Sequence, residues 1–154
     1  MSEAPLFEVE VEIQDLQKTI SIDSTSVEEL VRFVLGRESH GGRIGICFVD
    51  DERITQLHGD FLGDQSATDV ITFPLEKTVS RLLDGEIVIS TETADRQAQE
   101  RGWAPLREVH LYLIHGLLHL LGHDDIDVEG SEAMKRLQEA HLNAWIEFRG
   151  PLYD

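Results

Sequence analysis

One segment constrains the fold of this chain more than any other. It runs from Leu106 to Leu121, reads LREVHLYLIHGLLHLL, and is preceded by Pro105 and followed by Gly122. Proline suits the first turn of a helix, and glycine suits the residue just past its end. Apolar side chains point in almost every direction around this helix, and such a helix is buried on most sides. The sequence therefore predicts a helix inside the domain.

Two histidines interrupt this apolar helix one turn apart. At about 100° per residue, His119 lies about 40° from His115 on the same face. Two imidazoles at this spacing can direct ring nitrogens at one point, as they do in zinc sites. Glu108 falls two turns earlier on nearly the same face. The plainer interpretation is a pair of core histidines that hydrogen bonds satisfy.

Under the metal interpretation, the residues after the helix supply a third ligand. Gly122 lets the chain turn, so His123, Asp124 or Asp125 can fold back toward the pair, and each is an acceptable zinc ligand. Three protein ligands and an open position are typical of a catalytic zinc, which lowers the pKa of bound water toward about 7 and polarises phosphoryl or carbonyl oxygens. Gly116 stands where H-E-x-x-H peptidases have their general base, which disfavours peptidase chemistry.

The remaining sequence mixes strand and helix patterns, without a repeat or a linker. Alternating or apolar runs predict strands over residues 6–14, 43–50, 68–75 and 85–90. Helical spacing predicts helices over residues 26–38, 52–61, 92–101 and 131–148. Ser26 and Glu29 form a predicted capping box for the first of these helices. Residues 76–85 are predicted to form a loop or a hairpin arm. Together these patterns predict one domain of the α/β or α+β class over residues 1–154.

The charge balance of the chain indicates which partners it attracts. With 30 acidic and 13 basic residues, the net charge is −17, which opposes non-specific attraction to nucleic acid. Basic residues such as Arg43, Arg53, Arg96 and Arg101 are spread along the chain, and no phosphate groove can be assembled from them. Cys47 is the single cysteine, which excludes an internal disulfide and fits a buried thiol in a reducing cytosol. We find no signal peptide and no apolar run that could span a bilayer.

Several motifs in this chain resemble those of one protein family. The segment HGLLHLLGHDD, His115 to Asp125, resembles the H-G-x-L-H-L-x-G-[YH]-D-H signature of the YbeY endoribonucleases, the bacterial rRNA maturation factors. The segments TDVITFPL and GEIVIS are similar to the family's T-[DN]-V-L-S-F-P and G-[DE]-I-x-I-S motifs. REVHLYLIHG is similar to the lead-in to the first histidine, with Glu108 in the acidic place. In order and spacing, the resemblance covers roughly Ile44 to Leu142.

The resemblance implies a fold and an activity. The implied fold is a single compact α/β domain in which a small mixed sheet packs with helices and a metal-bearing helix is distantly like that of metzincin proteases. The implied activity is that of a single-strand-specific, zinc-dependent endoribonuclease in the cytoplasm. Such enzymes act in 16S rRNA 3′-end maturation and in 70S ribosome quality control. The implied partners are rRNA, the small ribosomal subunit with its proteins, and an rRNA-binding GTPase, with no membrane.

Site residues carry over from the family one by one. His115 and His119 match the first two zinc ligands directly. The family's third ligand is a histidine at the position of Asp125, and a carboxylate there remains a sound zinc ligand. His123 is the alternative third ligand. Asp124 is predicted to orient a ligand or to act near the bound water, and Glu108 to support the ligands or the fold. The general base is unassigned.

Two more positions depart from the family pattern. Leu62 stands where many members have an arginine that is thought to act on the RNA phosphate, and His58 stands where asparagine is common. Leucine cannot bind a phosphate. The absence of this arginine and the acidic composition favour an alternative function, that of a ribosome-associated assembly or binding protein with a structural metal. A metal hydrolase of a non-RNA substrate is a further alternative.

Overall fold

The computed structural model describes residues 7–62, 70–74, 81–123, 127–150 and 153, and of residues 58–62 the backbone alone. Within these residues four strands form one sheet in the order β1-β2-β4-β3: β1 (Val9–Asp15), β2 (Gly41–Val49), β3 (Val70–Pro74) and β4 (Leu82–Ser90). Strand β2 pairs in parallel with β1 and β4, whereas β3 pairs antiparallel with β4. The predicted class, a single α+β domain with a small mixed sheet, is confirmed.

The helices of the described residues are α1 (Ser24–Arg37), α2 (Asp51–Leu62), α3 (Thr91–Arg101), α4 (Pro105–Leu120) and α5 (Val128–Arg149). The leucine-rich segment forms α4, which begins at Pro105 as predicted. Gly122 takes a left-handed φ of 102° and turns the chain after the helix. Helix α5 begins before its predicted start, because Asp127 Oδ1 accepts the N–H of Gly130 at 2.6 Å and caps it. None of these helices combines the length and the apolarity that a membrane span requires.

The predicted capping box at Ser26 is wrong. Helix α1 begins at Ser24 and its N-cap is Asp23, whose Oδ1 accepts the N–H of Thr25 at 3.1 Å. The second carboxylate oxygen accepts the hydroxyl of Ser26 at 3.0 Å. Because one carboxylate offers two acceptors, Asp23 caps the helix and also binds the serine that was expected to cap it.

Residues 82–85 belong to β4 and not to the predicted loop or hairpin arm. They pair with residues 41–44 of β2, and Gly85 also pairs with Pro74 of β3. The sequence LLDG shows no alternation of its own, so its pairing with β2 decides its conformation. Residues 76–80 of that prediction lie outside the described residues.

Cys47 lies in β2, as predicted, but its side chain is half-buried and not buried. It packs beside the small apolar cluster of Val49, Ile54, Ile71 and Val88, which covers one side of the sheet only in part. This partial burial raises the pKa of the Cys47 thiol. The thiol is therefore held in its neutral form.

Helix α4 is the centre of the packing. It contacts α1, α3, α5, β3 and β4, and five of its apolar side chains are fully buried: Val109, Leu113, Ile114, Leu117 and Leu118. Gly116 allows the closest approach to the sheet. A Cβ at Gly116 would lie 2.9 Å from Cγ2 of Ile87, a fully buried side chain of β4. The glycine that argues against a peptidase base is thus required by packing.

Replacing Gly116 with alanine tests this contact. The added methyl group would overlap the stiff, buried Ile87, and overpacking of a core costs about 1–3 kcal/mol. We expect the free energy of unfolding in urea to fall by about that amount. Gly36→Ala in α1 is the matched control, because a Cβ there meets nothing within 4 Å. A Gly116→Ala protein as stable as the wild type would show that α4 does not press on β4.

His110 on α4 makes the stability of the fold depend on pH. Its side chain is buried and Nδ1 contacts the hydroxyl of Tyr153. Burial lowers the pKa of His110 to about 4 from its ordinary value of 6.5. The unfolded chain therefore binds this proton more readily than the folded protein. The stabilisation is complete above pH 6.5 and is lost as the pH falls toward 4.

We expect the wild type to lose about 2 kcal/mol more than His110→Gln when the pH falls from 7 to 5, because the glutamine variant lacks the titrating group. The measurement is urea unfolding at both pH values, with EDTA present so that metal binding does not contribute. The carboxylates and the remaining histidines are present in both proteins, so their contributions to the pH dependence cancel in the comparison. Equal losses of unfolding free energy in the two proteins would contradict a lowered pKa for His110.

Candidate metal centre and its groove

The two histidines of α4 converge. Their Nε2 atoms lie 3.0 Å apart, and their ring centroids are 4.5 Å apart at an interplanar angle of 77°. Zinc–nitrogen bonds of about 2.0–2.1 Å place two ligand nitrogens of a tetrahedral zinc about 3.3 Å apart. The same separation also suits a hydrogen bond between the rings. The separation of the two Nε2 atoms is thus within about 0.3 Å of the value expected for two ligands of one metal ion.

A contact from α5 fixes the orientation of the first histidine. Nδ1 of His115 is hydrogen-bonded to Oε1 of Gln138. An amide oxygen only accepts, so Nδ1 of His115 carries the proton and Nε2 presents its lone pair toward His119. Metal-binding histidines are held in this way by an acceptor on the other ring nitrogen. Gln138 thus selects the tautomer that a metal ion needs.

The turn after α4 directs His123 away from the pair. The N–H of Gly122 binds the carbonyl of His119 at 3.0 Å, and the N–H of His123 binds that of Leu118 at 3.0 Å. Nε2 of His123 lies 3.5 Å from Oε1 of Glu38, whose other oxygen is 3.1 Å from Nε2 of His141. The imidazole of His123 is therefore engaged at the end of α1.

The third predicted ligand lies outside the described residues, as does Asp124: the structure describes neither Asp124 nor Asp125. Among the residues that are described, no three histidine, cysteine, aspartate or glutamate side chains are grouped to hold a metal ion. The side chains of His58 and Leu62 also lie outside the described part. The described part of the site is therefore the pair of imidazoles and their support from α5.

Glu108 is completely buried and holds the junction of α3 and α4 together. Nη1 of Arg101 donates to both of its carboxylate oxygens, at 3.1 and 2.9 Å, and the indole Nε1 of Trp103 donates to Oε1 at 2.8 Å. A buried carboxylate is stable only when its charge is paired in this way. Glu108 thus anchors Arg101 and Trp103 at the start of α4.

A groove of about 590 Å³ runs between α4 and α5, and His115 and Gln138 line it together. Its charged lining side chains are three cations and one carboxylate: Arg101, Arg107, Lys135 and Glu139. Trp103 forms part of the wall, with the guanidinium carbon of Arg107 4.3 Å from its ring centroid and that of Arg101 at 5.5 Å. The surroundings of the histidine pair are thus locally basic in a chain of net charge −17.

Of the arginines that are spread along the sequence, one lines the groove and two are paired elsewhere. Arg43 pairs with Asp84 at 3.0 Å, and Arg96 pairs with Asp51 at 2.6 Å. Arg101, in contrast, lines the groove. The sequence interpretation missed Arg107, Lys135 and Gln138 altogether. Helix geometry offered little signal for the first, since Arg107 lies eight residues before His115 and about 80° around the helix from it.

The sequence profile of the endoribonuclease YbeY family matches residues 12–146 of this chain. The chain belongs to the YbeY endoribonuclease family. The endoribonuclease YbeY of Carboxydothermus hydrogenoformans is 35% identical over 136 residues, which cover 86% of this chain and 95% of that protein. That of Desulforamulus reducens is 37% identical over 142 residues, covering 84% and 93%. The solution structure of TM1509 from Thermotoga maritima matches with a TM-score of 0.64 at 25% identity, over 90% of this chain and 91% of that one.

The YbeY match extends beyond the motifs that first suggested it. Those motifs cover residues 44–142, whereas the match begins in β1 and ends near the end of α5. It therefore includes all the strands and helices that surround α4. Membership in the family supports an endoribonuclease role in rRNA processing.

Substitution of Gln138 tests how the YbeY histidine pair is held. Gln138→Leu removes the acceptor for Nδ1 of His115 and keeps a similar volume, so we expect the affinity for zinc to fall about 10–100-fold. Gln138→Glu keeps an acceptor and should bind zinc at least as tightly as the wild type. Competition with a chromophoric chelator measures each affinity.

Gln99→Leu on α3 is the matched control for Gln138→Leu. Gln99 is exposed and donates to Asp95 on its own helix, so its loss should leave the affinity for zinc unchanged. An unchanged affinity in Gln138→Leu itself would show that the orientation of His115 does not depend on α5.

Proposed function

We propose that this chain is a zinc-dependent endoribonuclease that cuts single-stranded RNA in 16S rRNA 3′-end maturation and in 70S ribosome quality control. The observation that carries the proposal is the convergence of two imidazole nitrogens, 3.0 Å apart, beside a groove that is basic in an otherwise acidic protein. Family membership supports the nuclease activity. The positive charges of the groove would attract a polyanion toward this pair.

His115, His119 and Asp125 would hold the zinc ion. His123 is the weaker candidate, because its imidazole lies against Glu38. When bound, zinc activates a water molecule and polarises a phosphoryl oxygen. A carboxylate ligand in place of the family's histidine adds a negative charge, which favours harder metal ions and a less acidic water. Asp124 follows Gly122 closely enough in sequence to orient one of these ligands.

The other side chains act by binding and positioning. Gln138 accepts a hydrogen bond from Nδ1–H of His115 and so selects the tautomer whose Nε2 lone pair points toward His119. Arg101 is held by Glu108 and faces the groove, where it attracts phosphates. Glu108 serves this arrangement as a buried anchor, two turns away from the pair, and not as a general base. Proton transfer in the reaction is not assigned to a residue.

The remaining family expectations belong to the same proposal. Residues 1–154 form a single YbeY-like domain that works in the cytoplasm on rRNA of the small ribosomal subunit. Ribosomal proteins and an rRNA-binding GTPase are its proposed partners. The acidic surface outside the groove suits basic proteins of this kind, because surfaces of opposite charge attract.

A second function is favoured by one specific feature. Leu62 replaces the arginine that many family members have, and leucine cannot contribute to phosphate chemistry. A ribosome-associated assembly protein that keeps its metal for stability needs no such arginine. The two functions differ in whether the chain itself cuts RNA.

The deciding measurement is cleavage of a single-stranded 16S 3′-precursor, together with the zinc content of protein purified without added metal. We expect one zinc ion per wild-type chain, and a loss of cleavage of about 100-fold or more in His119→Ala and Asp125→Ala. Loss of about 3 kcal/mol of transition-state stabilisation corresponds to that factor.

His40→Ala and Asp95→Ala are the matched controls, since both residues lie outside the groove and should leave zinc and activity unchanged. Cleavage that is equal in wild type and His119→Ala would contradict the assignment of the pair. Zinc-loaded wild type that cuts no single-stranded precursor would favour the assembly protein.

A further inference from the structure

The groove between α4 and α5 contains two cations that form no ion pair within the described residues. Arg101 is paired with Glu108 at 2.9 Å. Arg107 and Lys135, in contrast, form no ion pair with any residue that the structure describes. Nε of Arg107 is also buried without a hydrogen-bond partner within that part of the chain. Cations that form no ion pair within the described residues are notable here, because acidic residues outnumber basic ones by 30 to 13.

Packing holds the Arg107 guanidinium in place. It lies against the indole of Trp103, with its central carbon 4.3 Å from the ring centroid. The indole is in turn fixed by its 2.8 Å hydrogen bond to the buried Glu108. A guanidinium stacked on an aromatic ring loses little freedom when it binds a phosphate, and its fork of donors suits phosphate oxygens. Arg107 is thus prepared to bind an anion at the wall of the groove.

The two cations line the groove from different helices and at different levels along α4. His115 contacts Gln138 of α5, and His110 contacts Tyr153, which interacts with Trp145 of α5, so the two helices run antiparallel. Arg107 precedes His115 by eight residues, about 12 Å of helix. Lys135 precedes Gln138 by about one turn, and in an antiparallel pair this displaces it by about 4.5 Å in the other direction, to a level between His115 and His119. A strand that follows the groove therefore passes Arg107 before the histidine pair and Lys135 beside it.

We propose that Arg107 and Lys135 bind two backbone phosphates of the RNA strand whose reacting phosphate faces His115 and His119, Arg107 toward the N-terminal end of α4 and Lys135 beside the pair. This inference rests on the proposed function, because it takes single-stranded RNA as the occupant of the groove. Two such phosphate contacts position the strand without reading its bases.

The test is the binding of a short fluorescein-labelled single-stranded RNA with phosphorothioate linkages, which resist cutting, to the zinc-loaded protein. Fluorescence anisotropy gives Kd at several salt concentrations. We expect Arg107→Gln and Lys135→Gln each to raise Kd about 5–10-fold at 0.1 M salt. Each should also reduce the slope of log Kd against log salt by about 0.7, the value for one phosphate contact on a single strand.

Two further variants control for folding and for total charge. Arg136→Gln removes the same charge from the next residue of α5, which is exposed and outside the groove, so it should keep the wild-type slope. Arg107→Lys keeps the charge and should also keep the slope. If thermal melting shows that Arg107→Gln is unfolded, Lys135→Gln on the exposed side of the groove decides the matter alone.

The outcomes separate this inference from the proposed function. Wild-type slopes in Arg107→Gln and Lys135→Gln, or an equal loss in Arg136→Gln, would overturn the groove assignment. If the wild type still cuts unmodified single-stranded RNA in that case, the nuclease proposal stands without it. Wild type that cuts no such RNA would overturn the nuclease proposal instead, whatever the slopes.

Discussion

Helix α4 presents apolar side chains in almost every direction, and the other elements are arranged so that this surface loses contact with water. Helices α1, α3 and α5 and strands β3 and β4 all pack on it. Gly116 lets it approach the sheet closely at Ile87. The side of α4 that carries His115 opens on the groove, so the imidazoles are held by rigid neighbours on one side and accessible on the other.

The same packing reconciles an acidic chain with a polyanionic substrate. Arg43 and Arg96 are paired with carboxylates elsewhere on the molecule, whereas Arg107 and Lys135 lie in the groove without an ion pair among the described residues. Exposed charges more than about 8 Å apart are largely screened at physiological ionic strength. The cations that line the groove therefore decide the attraction of phosphates within it, and the net charge of −17 opposes binding elsewhere on the surface.

Features that depend on contacts between residues close in sequence could be predicted, and features that depend on contacts between distant segments could not. Helix α4 and the convergence of its histidines depend on contacts within one helix, so Pro105, Gly122 and the four-residue spacing were enough. Gln138 could not be predicted, because its contact with His115 spans 23 residues and requires α5 to pack on α4. Residues 82–85 form a strand because they pair with β2, and no local sequence pattern predicts that pairing. At the start of α1 two local signals competed, and the carboxylate of Asp23 capped the helix in place of Ser26.

The central claim is that His115 and His119 bind one zinc ion through their Nε2 atoms, with Asp125 as the third ligand. The most direct test is a crystal structure of the zinc-loaded protein with diffraction data on both sides of the zinc absorption edge. The account predicts one anomalous peak per chain, about 2.0–2.1 Å from both Nε2 atoms and about 2.0–2.2 Å from a carboxylate oxygen of Asp125. A zinc peak away from this pair, or one bound by His123 with Asp125 turned to solvent, would contradict it.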